Sequence, residues 1–178
     1  RGIDAASAAA ADAASRGAGA GAALAAAGDA WADNAGGTSG VLWGAGLRAF
    51  GEALGNDHAP SAAELAAAVA AFAARIAELG KADVGDKTMV DALVPFAETF
   101  SRLTSEGAGA DAGWAEAARE AASAAQATAA LRPLKGRARP LAEKSVGTPD
   151  PGATSLAMVF TVFGPHLAGV RQAAGAHP

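Results

Sequence analysis

The sequence predicts an all-α fold, a bundle of antiparallel amphipathic helices, on three observations. Hydrophobic residues fill 51% of the 178 positions, but so many are alanine that the large anchors reduce to three Trp, six Phe and scattered Leu, Val and Ile. Alanine is the strongest helix former, and small side chains favour close helix packing. Leu65, Val69, Phe72, Ile76 and Leu79 recur at spacings of 4, 3, 4 and 3, as do Met89, Leu93, Phe96, Phe100 and Leu103. Each is the stripe of a helix with one buried face, and two seams of one period predict antiparallel packing. No segment alternates apolar and polar residues with β-branched enrichment.

Taken in order, residues 2–16 form a helix of Ala with Asp4, Ser7, Asp12 and Ser15. Gly17 to Gly21 breaks it, and Ala22 to Asn34 forms a second helix ending at Gly36-Gly37. The low complexity here leaves a flexible linker as the alternative. Trp43, Leu47, Phe50 and Leu54 are the buried stripe of a third helix, which Thr38 or Ser39 can cap. Ser61 and Glu64 make a capping box for the fourth helix. The fifth carries Pro95, where a kink is expected, and Asp86 is its expected N-cap. Lys87 at that helix start opposes the dipole, and reads as a solvated cation unless an anion binds there. Asp111 is the expected cap of a helix over 112–131 anchored by Trp114 and stopped by Pro133. Asp150 as N-cap and Pro151 as first residue open the last helix, with Leu156, Val159, Phe160 and Phe163 as its stripe.

The length suits one domain with a real core. Cysteine is absent, which excludes disulfides, thiolate nucleophiles and Cys-based zinc sites. No apolar run approaches the roughly 20 residues of a membrane helix, so a non-membrane, cytoplasmic protein is expected. The histidines, His58, His166 and His177, stand in no nucleophile or metal motif. One compact basic stretch on a chain of net charge -4 is too small a footprint for nucleic acid. That stretch holds Arg132, Lys135, Arg137, Arg139 and Lys144 against the single acid Glu143, and it points to an anionic ligand.

Three segments can each deliver donors at a helix start: Gly36 to Gly40, Gly80 to Met89, and Gly136 to Gly152. A plain capped turn is the alternative for the first. The second departs from a phosphate-binding P-loop, because Asp86 is inserted before Lys87-Thr88 and the loop follows a helix where a P-loop follows a strand. One nucleotide could bridge all three segments.

In series, Gly36-Gly-Thr-Ser-Gly40, Gly80-Lys-Ala-Asp-Val-Gly-Asp-Lys-Thr-Met-Val-Asp91 and Lys135-Gly-Arg-Ala-Arg-Pro-Leu-Ala-Glu-Lys-Ser-Val-Gly-Thr-Pro-Asp-Pro-Gly-Ala-Thr-Ser155 resemble the nucleotide-binding (L-type) domain of the dihydroxyacetone kinase family. Order and spacing match over most of the chain, which is expected to be one such domain over 1–178. The resemblance implies an open barrel of about seven or eight antiparallel helices with ATP or ADP at one end. It implies Thr38 and Ser39 at the phosphates, Gly80 and Met89 beside the base, and Arg137 with Asp150, Pro151 and Gly152 closing over the nucleotide. It assigns this chain no catalytic residue and no metal ligand. The substrate, a small ketose such as dihydroxyacetone, would be held covalently on a histidine of a partner domain or subunit, through which a homodimer would form.

The family's Gly-Asp-Gly-Asp-His-Gly loop, which holds two Mg2+ ions, would fall before Arg1 together with a first helix. The opening Arg1-Gly-Ile-Asp, without an initiator Met, is accordingly read as lying inside a longer polypeptide. This stretch alone is expected to bind nucleotide weakly and to be inactive. Within the family, Thr38 favours an ATP-using fusion over a subunit whose ADP is rephosphorylated by a phosphotransfer-system protein. Kinases of four-carbon ketoses belong to the fused type. A non-catalytic helical lipid carrier is the alternative outside the family.

Overall fold

The computed structural model of the chain describes residues 1–135 and 142–168. Its elements are α1 (Gly2–Ser15), α2 (Ala20–Ala35), α3 (Gly37–Leu54), α4 (Ala62–Gly80), α5 (Val90–Ser105), α6 (Ala110–Ala127), the short α7 (Ala142–Ser145) and α8 (Pro151–Phe163). A 3-10 turn, Thr128–Ala130, extends α6, and another, Gly164–Leu167, follows α8. The expected all-α fold is observed, with no strand among the described residues. Among them, no helix is long and apolar enough to cross a membrane. The chain divides into two compact units, one of Arg1–Pro60 with Glu64–Gly80, the other of Ser61–Ala63 with Lys81 onward.

In the first unit glycine does the packing. A Cβ at Gly28 would lie 2.5 Å from the carbonyl oxygen of Gly44, and one at Gly44 would lie 2.6 Å from that of Gly28. Gly21 and Gly51 repeat the relation, a Cβ at either lying 2.6 Å from the other's carbonyl oxygen. The partners descend in one helix as they ascend in the other, so α2 and α3 run antiparallel with their backbones in contact. A side chain at any of these positions would separate them. The low-complexity start is therefore helical, and the polar loop after α3 completes it: Gly55 O accepts from Gly21 N at 2.8 Å and Asn56 Oδ1 from Ala22 N at 2.9 Å. These two bonds occupy N–H groups that the start of α2 leaves free. Trp31 stacks on Trp43 at 5.1 Å, and Trp43 meets Phe72 of α4 edge-on at 5.6 Å.

Several local expectations change. Trp43, Leu47, Phe50 and Leu54 are only half-buried, while Gly40, Gly44, Gly46 and Gly51 form the buried face of α3. Thr38 and Ser39 do not cap that helix. Gly36 holds the cap position at φ +66, and the two hydroxyl residues lie exposed in the first turn. Leu65, Val69, Phe72 and Ile76 are buried as expected, but Leu79, near the end of α4, is 41% exposed.

The second unit has an aromatic core. Phe96 stacks on Phe160 at 3.7 Å, and Trp114 packs edge-on against Phe96 at 4.7 Å and Phe100 at 5.3 Å. The indole N–H of Trp114 donates to Phe160 O at 2.8 Å, so its one polar group is satisfied inside the core. Ala117, Ala121 and Ala125 continue the buried face of α6. Pro95 lies inside α5. Gly109, not Asp111, is the cap of α6, and Asp111 accepts from its neighbour Ala112 N. On α8, Leu156 and Phe160 are buried, but Val159 is exposed, and Phe163 at the helix end is exposed although its ring lies 5.1 Å from that of Trp114.

Candidate functional site

The turn into α8 is built by Asp150. Its Oδ2 accepts from Ala153 N at 2.8 Å, the N-cap bond expected of it, and Pro151 follows as the first helical residue. Asp150 N donates to Thr128 Oγ1 at 2.7 Å, and that hydroxyl donates to Ala125 O at 2.6 Å. The turn is thereby fastened to the end of α6. A Cβ at Gly152 would lie 2.9 Å from Asp150 Oδ2 and 3.5 Å from both the Cβ and the N of Met89. Glycine here leaves the capping carboxylate room and brings the turn against Met89.

Asp150 is buried, and its carboxyl is held above the ordinary value. Desolvation raises it, the N–H groups of Ala153 and Gly152 oppose that, the charge of Asp91 raises it further, and Lys87 lowers it.

The loop of residues 81–89 is organised by Asp91 rather than Asp86. Asp91 Oδ1 accepts from Gly85 N at 2.6 Å and Oδ2 from Thr88 N at 2.7 Å, while Thr88 Oγ1 accepts from Val90 N at 3.1 Å. That exchange resembles a capping box across Thr88-x-x-Asp91. Asp86 instead accepts from Asp83 N at 3.0 Å, and its carbonyl accepts from Leu134 N at 3.1 Å. Asp86 cannot cap α5 because the chain turns at Lys87, which has φ +59.

Lys87 is not solvated. It is 3% exposed, and its Nζ donates to Leu131 O at 3.1 Å and to Ser145 O at 2.7 Å. A left-handed backbone at a non-glycine residue costs about 1–2 kcal/mol, and persists where surrounding contacts determine it.

The second unit thus brings together Met89, Asp150, Pro151 and Gly152. Thr38 and Ser39 belong to the first unit, at the start of α3, and Gly80 ends α4 there. Arg137, with Arg139 and His177, lies outside the described residues. Of the other basic residues, Arg132 pairs with Glu143, and Lys135 stands 3.9 Å from Asp86. The start of α3 suits an anion: Gly36 and Gly37 both have positive φ, no side chain caps the helix, and no acid lies in its first turn. Among the described residues, no group of three His, Cys, Asp or Glu could hold a metal ion. Sequence reasoning missed Lys87, Asp91 and Thr128 as parts of the arrangement; only Thr88-x-x-Asp91 carried a readable signal.

The DAK2 domain family matches residues 1–164. A D-erythrulose kinase of Mycolicibacterium smegmatis is 54% identical over 158 residues, covering 89% of this chain and 27% of that protein. An L-erythrulose kinase of Pectobacterium atrosepticum is 46% identical over 160 residues, covering 90% and 27%. The crystal structure of the dihydroxyacetone kinase of C. freundii is similar at TM-score 0.59 and 30% identity, over 82% of this chain and 24% of that one. The chain therefore spans about a quarter of the length of these relatives.

Proposed function

Because the chain belongs to the DAK2 domain family, we propose that it is the ATP- or ADP-binding domain of a cytoplasmic dihydroxyacetone or short-chain ketose kinase. Phosphoryl transfer would go to a ketose held on a partner domain or subunit, through which the assembly would form a homodimer. The similarity to two erythrulose kinases supports a four-carbon ketose as substrate and an ATP-using fusion as the setting. The observation that carries the site is the approach of the Asp150-Pro-Gly152 turn to Met89. It makes a short wall of backbone beside Met89, whose side chain is suited to packing on a flat base. Thr38 and Ser39, with the free N–H groups at the start of α3, are proposed for the phosphates, Gly80 for the base, and Arg137 for closing over the nucleotide.

Transfer of a phosphoryl group asks mainly for positioning and charge neutralisation from a nucleotide-binding domain. Mg2+, expected with the nucleotide, has no ligand set among the described residues. The test is phosphoryl transfer from Mg-ATP to dihydroxyacetone, D-erythrulose and L-erythrulose by the complete kinase, wild type and Gly152→Val. The variant should raise the KM for ATP at least about tenfold and leave the ketose KM unchanged. An unchanged ATP KM would remove the turn from the site, and no transfer to any ketose by wild type would reject the activity.

A further inference from the structure

We propose that Lys87 is a positioning residue that fastens the wall of the nucleotide site, holding the Asp150-Pro-Gly152 turn against Met89; this rests on the nucleotide-binding reading above. Lys87 lies two residues before Met89, and its ammonium donates to carbonyls of two other segments, Leu131 O after α6 and Ser145 O at the end of α7. Backbone bonds run in parallel with it. Leu134 N donates to Asp86 O at 3.1 Å, and Gly147 N to Ala129 O at 2.8 Å. Asp150 N then donates to Thr128 Oγ1 at 2.7 Å, three residues after the Gly147 tie. Residues 85–91, 128–134 and 145–152 thus form one bonded network, and within it Lys87 reaches both of the other segments with a single group.

The position is otherwise ill-suited to lysine. A residue at φ +59 is by default glycine, and a buried ammonium is costly unless its donors are satisfied and its charge is compensated. Two carbonyls accept from it here, and its charge acts on the nearby carboxyl of Asp150. An ammonium occupied in this way serves the wall, not the phosphates. Its contribution should therefore not depend on how many phosphates the nucleotide carries.

The experiment titrates AMP, ADP and ATP, each with Mg2+, by calorimetry into the complete kinase as wild type, Lys87→Met, Lys87→Gln and Trp114→Phe. Methionine matches the length of the stem without a donor, and glutamine keeps one N–H donor without charge. Trp114→Phe removes a different buried bond of the same unit and controls for general loosening. Expected for Lys87→Met is a loss of about tenfold or more, by the same factor for all three nucleotides, with a smaller uniform loss for Lys87→Gln and none for Trp114→Phe. A loss that grows from AMP to ATP would overturn the proposal in favour of a phosphate contact. So would an equal loss in Trp114→Phe, which would reduce Lys87 to general stability. If Lys87→Met fails to fold, unchanged affinities in Lys87→Gln overturn the proposal and a uniform loss supports it. Wild type binding no nucleotide would reject the functional reading itself.

Discussion

Asp150 serves as a helix cap, a hydrogen-bond donor to Thr128 through its backbone, and a buried charge, and these roles can be separated by substitution. Asparagine caps helices as well as aspartate does, whereas alanine does not. Asp150→Ala should therefore cost about 0.5–2 kcal/mol of unfolding free energy in urea, and Asp150→Asn much less. The charge appears in the pH dependence. Burial holds this carboxyl above the ordinary aspartate value of 3.8, so in the window above 3.8 the native state binds more protons than the unfolded chain. Its contribution to stability is greatest below that window, falls as pH rises through the raised native value, and then levels off. Asp150→Asn should flatten that part of the stability profile; an identical slope in the variant would show that the carboxyl is not the cause. The cap and Pro151 were legible from sequence because both act on their immediate neighbours. Lys87 was misread because its partners are 44 and 58 residues away.

At the scale of elements, α2 and α3 show why a hydrophobic stripe can point to the wrong face. Pattern reading weighs side chains, so Trp43, Leu47, Phe50 and Leu54 define the face it selects. The face that makes the closest contact is instead glycine, where the backbones themselves touch. Gly28→Ala would raise helix propensity by about 1 kcal/mol. Its Cβ, however, meets the Gly44 carbonyl oxygen at 2.5 Å, and overpacking against backbone costs about 1–3 kcal/mol. The net expectation is a lower urea midpoint, and Gly44→Ala should behave alike. Gly113→Ala on α6 is the contrast. Its nearest atoms, on the Phe100 ring, lie 3.4 Å away, an ordinary contact, so that variant should be neutral or stabilised. If all three variants shift the midpoint equally, the close approach of α2 and α3 is not what makes glycine necessary.

For the whole molecule, the relevant balance is between an acidic chain and an anionic ligand. The net charge is -4, and the nearby basic residues Arg132 and Lys135 face Glu143 and Asp86. A ligand that binds only the folded chain stabilises it by mass action, by about 2.7 kcal/mol at a concentration one hundred times its dissociation constant. A thermal melt with increasing Mg-ADP should show a saturable rise in Tm, and GDP at the same concentrations tests whether the base is read. A Tm that stays flat with both nucleotides would count against the site. The all-α class, most helix positions, the Asp150-Pro151 start of α8 and the family were legible before folding is considered, because periodicity, caps and ordered motifs are local properties of the chain. Tertiary structure alone decided that glycine lines the α2–α3 contact, that Asp91 rather than Asp86 organises the loop before α5, and that Lys87 is buried. Each of those depends on a backbone atom or charge brought near by folding, and burial and distance are not properties that a residue has in sequence.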